Sequence, residues 1–62
     1  MKRRAGGFII AGWIGDHNPP HVHVYENGRL VAKFNTRDKV FMLIQDGYRN
    51  RVLKALRTAR VI

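Results

Sequence analysis

The chain has 62 residues, enough for one small domain, and no cysteine, which excludes disulfides and thiolate metal sites. Twelve lysines and arginines stand against four acidic residues, so the formal net charge is +8. Residues 29–62 hold nine of the basic and two of the acidic side chains, a net of +7. A field of this sign attracts polyanions. We expect RNA as the partner, with an acidic protein as the alternative.

The N-terminal third predicts one strand and a loop. Residues 1–7 are basic and end in two glycines, which indicates a loose lead-in. Residues 8–14 are rich in β-branched and aromatic side chains on both faces, which is typical of a strand. Residues 15–20 predict a loop, because Pro20 has no backbone N–H to donate and favours an extended conformation at Pro19.

A hairpin follows this loop. Asn27-Gly28 is the strongest turn signal in the chain, because both residue types tolerate the positive φ angles of a two-residue hairpin turn. The turn is flanked by apolar and aromatic segments over 21–25 and 29–34, which predict two antiparallel strands.

The register of this hairpin decides which side chains share a face. A regular two-residue turn pairs His23 with Ala32. That pairing places His21, His23 and Tyr25 on one face and Lys33 on the other. Both faces are partly apolar, so the pattern leaves open which one the core takes, and a shift of one residue would break the grouping.

The C-terminal half predicts a fourth, buried strand over 40–44, where five apolar residues are continuous, and then a helix. Asp46 is a candidate N-cap for this helix. We therefore predict a single α+β domain over 1–62, in which three or four antiparallel strands in the order ββββα carry one basic C-terminal helix on a face. The apolar positions of this helix recur at helical spacing as Tyr48, Val52, Ala55, Leu56 and Ala59.

One segment carries a resemblance to a known family. The string Asn-Pro-Pro-His-Val-His-Val over 18–24, followed by a turn and a strand ending Ala-Lys-Phe at 32–34, resembles small bacterial proteins catalogued only as a domain of unknown function. The likeness is close over residues 8–34 and loose elsewhere. Such proteins are frequently found in gene pairs resembling toxin–antitoxin modules, so the resemblance implies a paired partner and supplies no established activity.

The three histidines fall within seven residues, and they support more than one chemistry. Histidine is the residue whose unperturbed pKa lies nearest neutrality, so it serves as acid, base or metal ligand. His21 and His23 lie at i and i+2 on a strand, so their Cα atoms are about 6.5–7 Å apart. That separation suits an acid and a base on either side of a phosphate, as in a metal-independent ribonuclease. No cofactor is required by this interpretation.

Such a reaction also needs cations that stabilise the charged transition state. Since the register places Lys33 on the opposite face, we expect the nucleic-acid-binding residues to be Arg37, Arg51, Lys54 and Arg57.

Two other interpretations of the histidines remain open. His17, His21 and His23 supply three nitrogen ligands for zinc, nickel or copper, with Asp16 or Glu26 to complete or orient the site. Alternatively the histidines are structural, half-buried at a dimer interface.

Size and charge also lead to expectations for the protein as a whole. We expect a cytoplasmic RNA-binding protein, one member of a toxin–antitoxin-like pair. The alternative is a non-catalytic module whose basic helix docks an acidic partner. A chain this short usually needs a cross-link, a bound metal or a protein partner to be stable, so we expect a homo-oligomer or a hetero-complex. No segment approaches the ~20 apolar residues of a membrane span.

Overall fold

The computed structural model describes residues 1–12 and 20–62. The end of the predicted first strand, most of the predicted loop and the candidate metal ligands His17 and Asp16 lie outside these residues. The predicted α+β class is confirmed, with five antiparallel strands, one more than expected, followed by one helix. The elements are β1 (Lys2–Ala5), β2 (Phe8–Ala11), β3 (His21–Glu26), β4 (Arg29–Asn35), β5 (Val40–Ile44) and α1 (Arg49–Thr58).

The additional strand is β1, and the prediction of a loose lead-in was wrong. Gly6 and Gly7 have φ angles of 56° and 81°, so they form a two-residue turn of the kind that matches the twist of paired strands. β1 therefore folds back antiparallel on β2, with Ala5 opposite Phe8. The main-chain groups of Met1 and Gly12 extend this pairing, with the Gly12 N–H donating to the Met1 carbonyl at 2.8 Å.

The sheet is a simple meander in the order β1-β2-β3-β4-β5. The predicted hairpin turn is confirmed, since Asn27 and Gly28 have φ angles of 50° and 79°. The predicted register holds only next to this turn, where Tyr25 lies opposite Leu30.

Beyond the turn a β-bulge at Val31 overturns the predicted register. Ala32 lies opposite Val24, and Lys33 lies opposite His23. In a bulge two residues of one strand oppose a single residue of the partner. Here Val31 and Ala32 are both buried, as is Val24 opposite them. The extra residue therefore puts two apolar side chains into the core where a regular ladder would put one.

Helix α1 covers one face of the sheet and closes the core. Its apolar stripe is confirmed, since Val52, Ala55 and Leu56 are fully or almost fully buried. The predicted cap is wrong: the N-cap position is Tyr48, it makes no side-chain capping bond, and Gly47 precedes it at a φ of 83°. The strand side chains of the core are Ala5, Phe8, Ile10, Val22, Val24, Val31, Ala32 and Phe34.

The last strand differs from expectation in its burial. β5 forms where it was predicted, but it lies at the edge of the sheet, and Val40, Met42 and Leu43 are exposed. Over residues 1–12 and 20–62, no helix is long and apolar enough to cross a bilayer.

Candidate functional site

The strand β3 presents three rings in a row on the face of the sheet turned away from α1. Val22 and Val24 are buried in the core, so the alternating residues of a strand place His21, His23 and Tyr25 on the opposite face. The ring centroids of His21 and His23 are 5.1 Å apart, and those of His23 and Tyr25 are 6.2 Å apart. All three side chains are half-buried, which leaves part of each accessible.

Lys33 stands beside this row. It lies opposite His23 on β4, and residues that are paired in this way share a face of the sheet. The prediction that Lys33 belongs to the other face was wrong, because it rested on a hairpin without the Val31 bulge. The structure thus brings a cation next to the two histidines without any contribution from the helix.

The paired strands β1 and β2 add two further cations to the same face. Ala11 lies opposite His23 and Lys2 lies opposite Ala11, so Lys2, His23 and Lys33 fall in one row across the sheet. Arg4 reaches the row of Tyr25 in the same manner, through Ile9. We call the surface formed by His21, His23, Tyr25, Lys33, Lys2 and Arg4 the histidine face.

A hydrogen bond orients the central ring of the histidine face. His23 Nδ1 and the Tyr25 hydroxyl are 3.2 Å apart, with the direction of donation set by the imidazole tautomer. An imidazole held through one nitrogen presents the other in a fixed direction, which is how catalytic histidines are commonly positioned. The contact with the Tyr25 hydroxyl therefore helps to fix the orientation of the His23 ring.

The cations predicted on the helix lie on the other side of the molecule. Arg51, Lys54 and Arg57 are exposed on α1, which packs against the core face of the sheet. The structure does not bring them together with His21 and His23. A single bound strand would contact both groups only by passing around an edge of the sheet.

Arg37, the fourth predicted cation, lies at the histidine end of the sheet. It belongs to the turn between β4 and β5, and this turn is tied to the start of β3 by the Thr36 N–H, which donates to the Pro20 carbonyl at 3.0 Å. The Arg37 guanidinium also pairs with Asp38 at 3.5 Å. Of the four predicted cations, Arg37 is the one that belongs to a turn hydrogen-bonded to Pro20, the residue before His21.

Arg51 has a structural role that sequence reasoning missed. Its Nη1 lies 3.3 Å from Glu26 Oε2, and its guanidinium stacks 4.6 Å from the centroid of the Tyr48 ring. The Tyr48 hydroxyl donates to the other oxygen of Glu26 at 2.5 Å. Glu26, considered above as a metal-site residue, is thus engaged in joining the hairpin to the start of the helix.

The metal interpretation has two of its three ligands in the described residues, His21 and His23. Within the part of the chain that the structure describes, no group of three or more His, Asp or Glu side chains could hold a metal ion. His17, the third predicted ligand, lies outside that part.

Comparison with known families agrees with the resemblance of the histidine motif. The model of the family described as "Domain of unknown function (DUF4160)" matches residues 7–60. The chain belongs to the DUF4160 family. The matched region runs from the first turn to beyond the end of α1, so it contains His21, His23 and Lys33. No curated protein and no solved structure matches the chain significantly.

Membership of the DUF4160 family shows which proteins this chain is related to, but the family has no known function. A function must therefore be argued from the residues of the site. Besides Lys33, two contributors to the histidine face were not found from the sequence, namely Lys2 and Arg4. The Gly-Gly pair between a basic and an apolar segment was the available signal, because it marks a hairpin turn. If the Gly6-Gly7 pair is interpreted as a hairpin turn, the basic segment before it is predicted to pair with β2.

Proposed function

We propose that this protein binds single-stranded RNA on the histidine face. The observation that carries the proposal is the register of β4, which sets Lys33 beside His23 in a row of rings. Exposed bases of single-stranded RNA stack on aromatic side chains presented by a sheet, while cations around them hold the phosphates. From His21 to Tyr25 the row is about 13 Å long, which suits two or three successive nucleotides.

The proposal includes cleavage of the bound strand without a metal ion. One of the two histidines removes the proton from a 2′-hydroxyl, whose oxygen attacks the adjacent phosphorus. The other donates a proton to the departing 5′-oxygen. The products are a 2′,3′-cyclic phosphate and a 5′-hydroxyl end. Lys33 stabilises the charge that develops on the phosphoryl oxygens, and Tyr25 positions His23.

We also propose that this chain is the basic RNA-binding member of a toxin–antitoxin-like pair, as its resemblance to proteins of paired genes implies. In that setting the partner would be an acidic protein. A protein interface with an apolar core resists moderate salt, whereas contacts to phosphates weaken steeply as salt rises. Salt dependence therefore separates the two kinds of ligand for any surface under test.

The binding test compares two lysines on opposite sides of the molecule. Fluorescence anisotropy with a labelled single-stranded RNA of about 12 nucleotides is measured over a salt series for Lys33→Gln and Lys54→Gln. Loss of one phosphate contact lowers the salt slope by about 0.7 for a single strand. We expect this loss for Lys33→Gln and wild-type behaviour for Lys54→Gln. The reverse result would move the binding site to the helix and contradict the proposal.

The cleavage test uses untagged protein and total RNA with and without EDTA, beside the double variant His21→Ala/His23→Ala. Cleavage that survives EDTA and disappears in the folded double variant supports the acid–base reaction. Cleavage lost in EDTA would support the metal interpretation instead. Binding without cleavage under any condition would leave the histidine face as a binding surface only.

A further inference from the structure

The β5 edge of the sheet is an exposed apolar strand. Val40, Met42 and Leu43 are 53%, 46% and 38% exposed. In the described residues, the other exposed large apolar side chains are the first and the last of the chain. Exposed apolar surface is thus concentrated on one strand, and its outer side offers backbone N–H and C=O groups for pairing.

The two edges of the sheet differ in a way that points to different roles. The β1 edge carries Lys2, Arg3 and Arg4, and such charges on an edge strand discourage pairing with another chain. The Arg3 guanidinium also donates to the Ala59 carbonyl at the end of α1. The β5 edge has no charged residue and no proline over its five residues. The β1 edge is therefore protected by charge, whereas the β5 edge is uncharged and apolar.

We propose that β5 pairs antiparallel with β5 of a second copy of this chain, around a two-fold axis near Met42. Self-pairing in this direction places the start of one strand beside the end of the other. Exposed Lys39 precedes β5 and exposed Asp46 follows it, so each lysine would approach the aspartate of the other copy. An antiparallel copy thus has complementary charges at both ends of an uncharged apolar strand.

The bulge in β5 lies at the proposed two-fold axis. Between β4 and β5 the ladder runs from Lys33 opposite Leu43 to Phe34 opposite Phe41, so Met42 is the extra residue. An unbranched thioether side chain adapts to irregular contacts, and here two of them would meet at the axis. A five-residue edge buries less surface than a standard interface, so we expect a weak dimer whose population rises with protein concentration.

Such a dimer has a consequence for RNA that rests on the proposed function. Antiparallel edge pairing requires a two-fold axis perpendicular to the sheet, which leaves both histidine faces on the same side. The result is one continuous ten-stranded surface. RNA long enough to reach both copies should then bind more tightly than RNA that covers one.

Sedimentation velocity of the protein alone, from 1 to 500 μM, tests the dimer independently of RNA. We expect Met42→Lys to raise the Kd about tenfold or more, because an edge lysine opposes pairing. Ile62→Lys is the matched control, since it makes the same kind of change at an exposed apolar position away from the edge, and it should leave the Kd unchanged. A wild-type chain that remains monomeric at 500 μM would overturn the proposal.

Charge exchange identifies the pairing direction. Lys39→Glu and Asp46→Lys should each weaken the dimer about threefold to tenfold, and the double variant should recover wild-type affinity. Hydrogen exchange supplies a second readout, because amides over 40–44 should gain protection as concentration rises. A dimer whose β5 protection does not depend on concentration, or whose double variant fails to recover, would use another surface and contradict the proposal.

Discussion

The contact between Glu26 and Tyr48 gives a test of what holds the helix on the sheet. The Tyr48 hydroxyl donates to Glu26 Oε1 at 2.5 Å across 22 residues of sequence. It joins the end of β3 to the N-cap position of α1, a helix that has no side-chain cap of its own. Tyr48→Phe removes the hydroxyl but keeps the ring, which packs edge-to-face on Phe8 with the two ring centroids 6.2 Å apart.

The expected cost follows from the environment of the carboxylate. A hydrogen bond to a charged group contributes about 1.5–3 kcal/mol to stability. The Glu26 side chain is 23% exposed, so water replaces part of the lost bond and the lower end of that range applies. We therefore expect Tyr48→Phe to lower the free energy of unfolding by about 1.5 kcal/mol. In a domain of this size, that corresponds to a fall in Tm of about 6–12 °C.

Thermal and urea unfolding followed by circular dichroism measures this difference, and Tyr25→Phe is the matched control. The same atom is removed there, but its partner is His23 at 3.2 Å on the histidine face. We expect that control to cost about 0.5 kcal/mol, as for an ordinary neutral hydrogen bond. In a Glu26→Ala background, the Tyr48 substitution should cost almost nothing. Equal costs for the two tyrosines, or an unchanged cost in that background, would refute the reasoning.

Three further predictions follow from the core, the turn and the site. Leu56→Ala should cost about 2–5 kcal/mol, because Leu56 is fully buried, and leave a small domain largely unfolded at 25 °C by urea titration. Gly28→Ala should cost about 1 kcal/mol by the same titration, because Gly28 has a φ of 79°. A smaller loss at either position would contradict the packing or the turn. If His21 and His23 act as acid and base, RNA cleavage should have a bell-shaped pH profile that is unchanged by EDTA. If the rate changed with pH in only one direction, one of the two histidines would have no role as an acid or a base.

The class of the fold could be predicted from local patterns. The Asn27-Gly28 turn, the apolar run over 40–44 and the helical spacing after Tyr48 each gave an element close to where the structure has it. These signals are local because a positive φ angle or a side-chain periodicity depends on a few neighbouring residues. The strand β1 was missed because its basic side chains resemble a tail until its pairing with β2 is known.

The candidate site depended on a feature that has no local signature. The alternation along β3 placed His21 and His23 on one face from the sequence alone, and the structure agrees. Lys33 was assigned to the wrong face because a bulge changes the side on which every later residue of the strand lies. No turn or breaker residue marks Val31, and its place is set by the packing of two side chains against Val24.

The sequence by itself determined a basic, cysteine-free α+β domain with a hairpin that carries paired histidines. Only the tertiary structure decided which surfaces those residues share. Helix α1 covered the valine face of β3 and so left the histidines on the other, since burial of apolar area favours that choice. The bulge brought Lys33 to the histidines, and the same packing separated them from Arg51, Lys54 and Arg57. The partners of a side chain across a sheet depend on register and layer, which are properties of the folded chain as a whole.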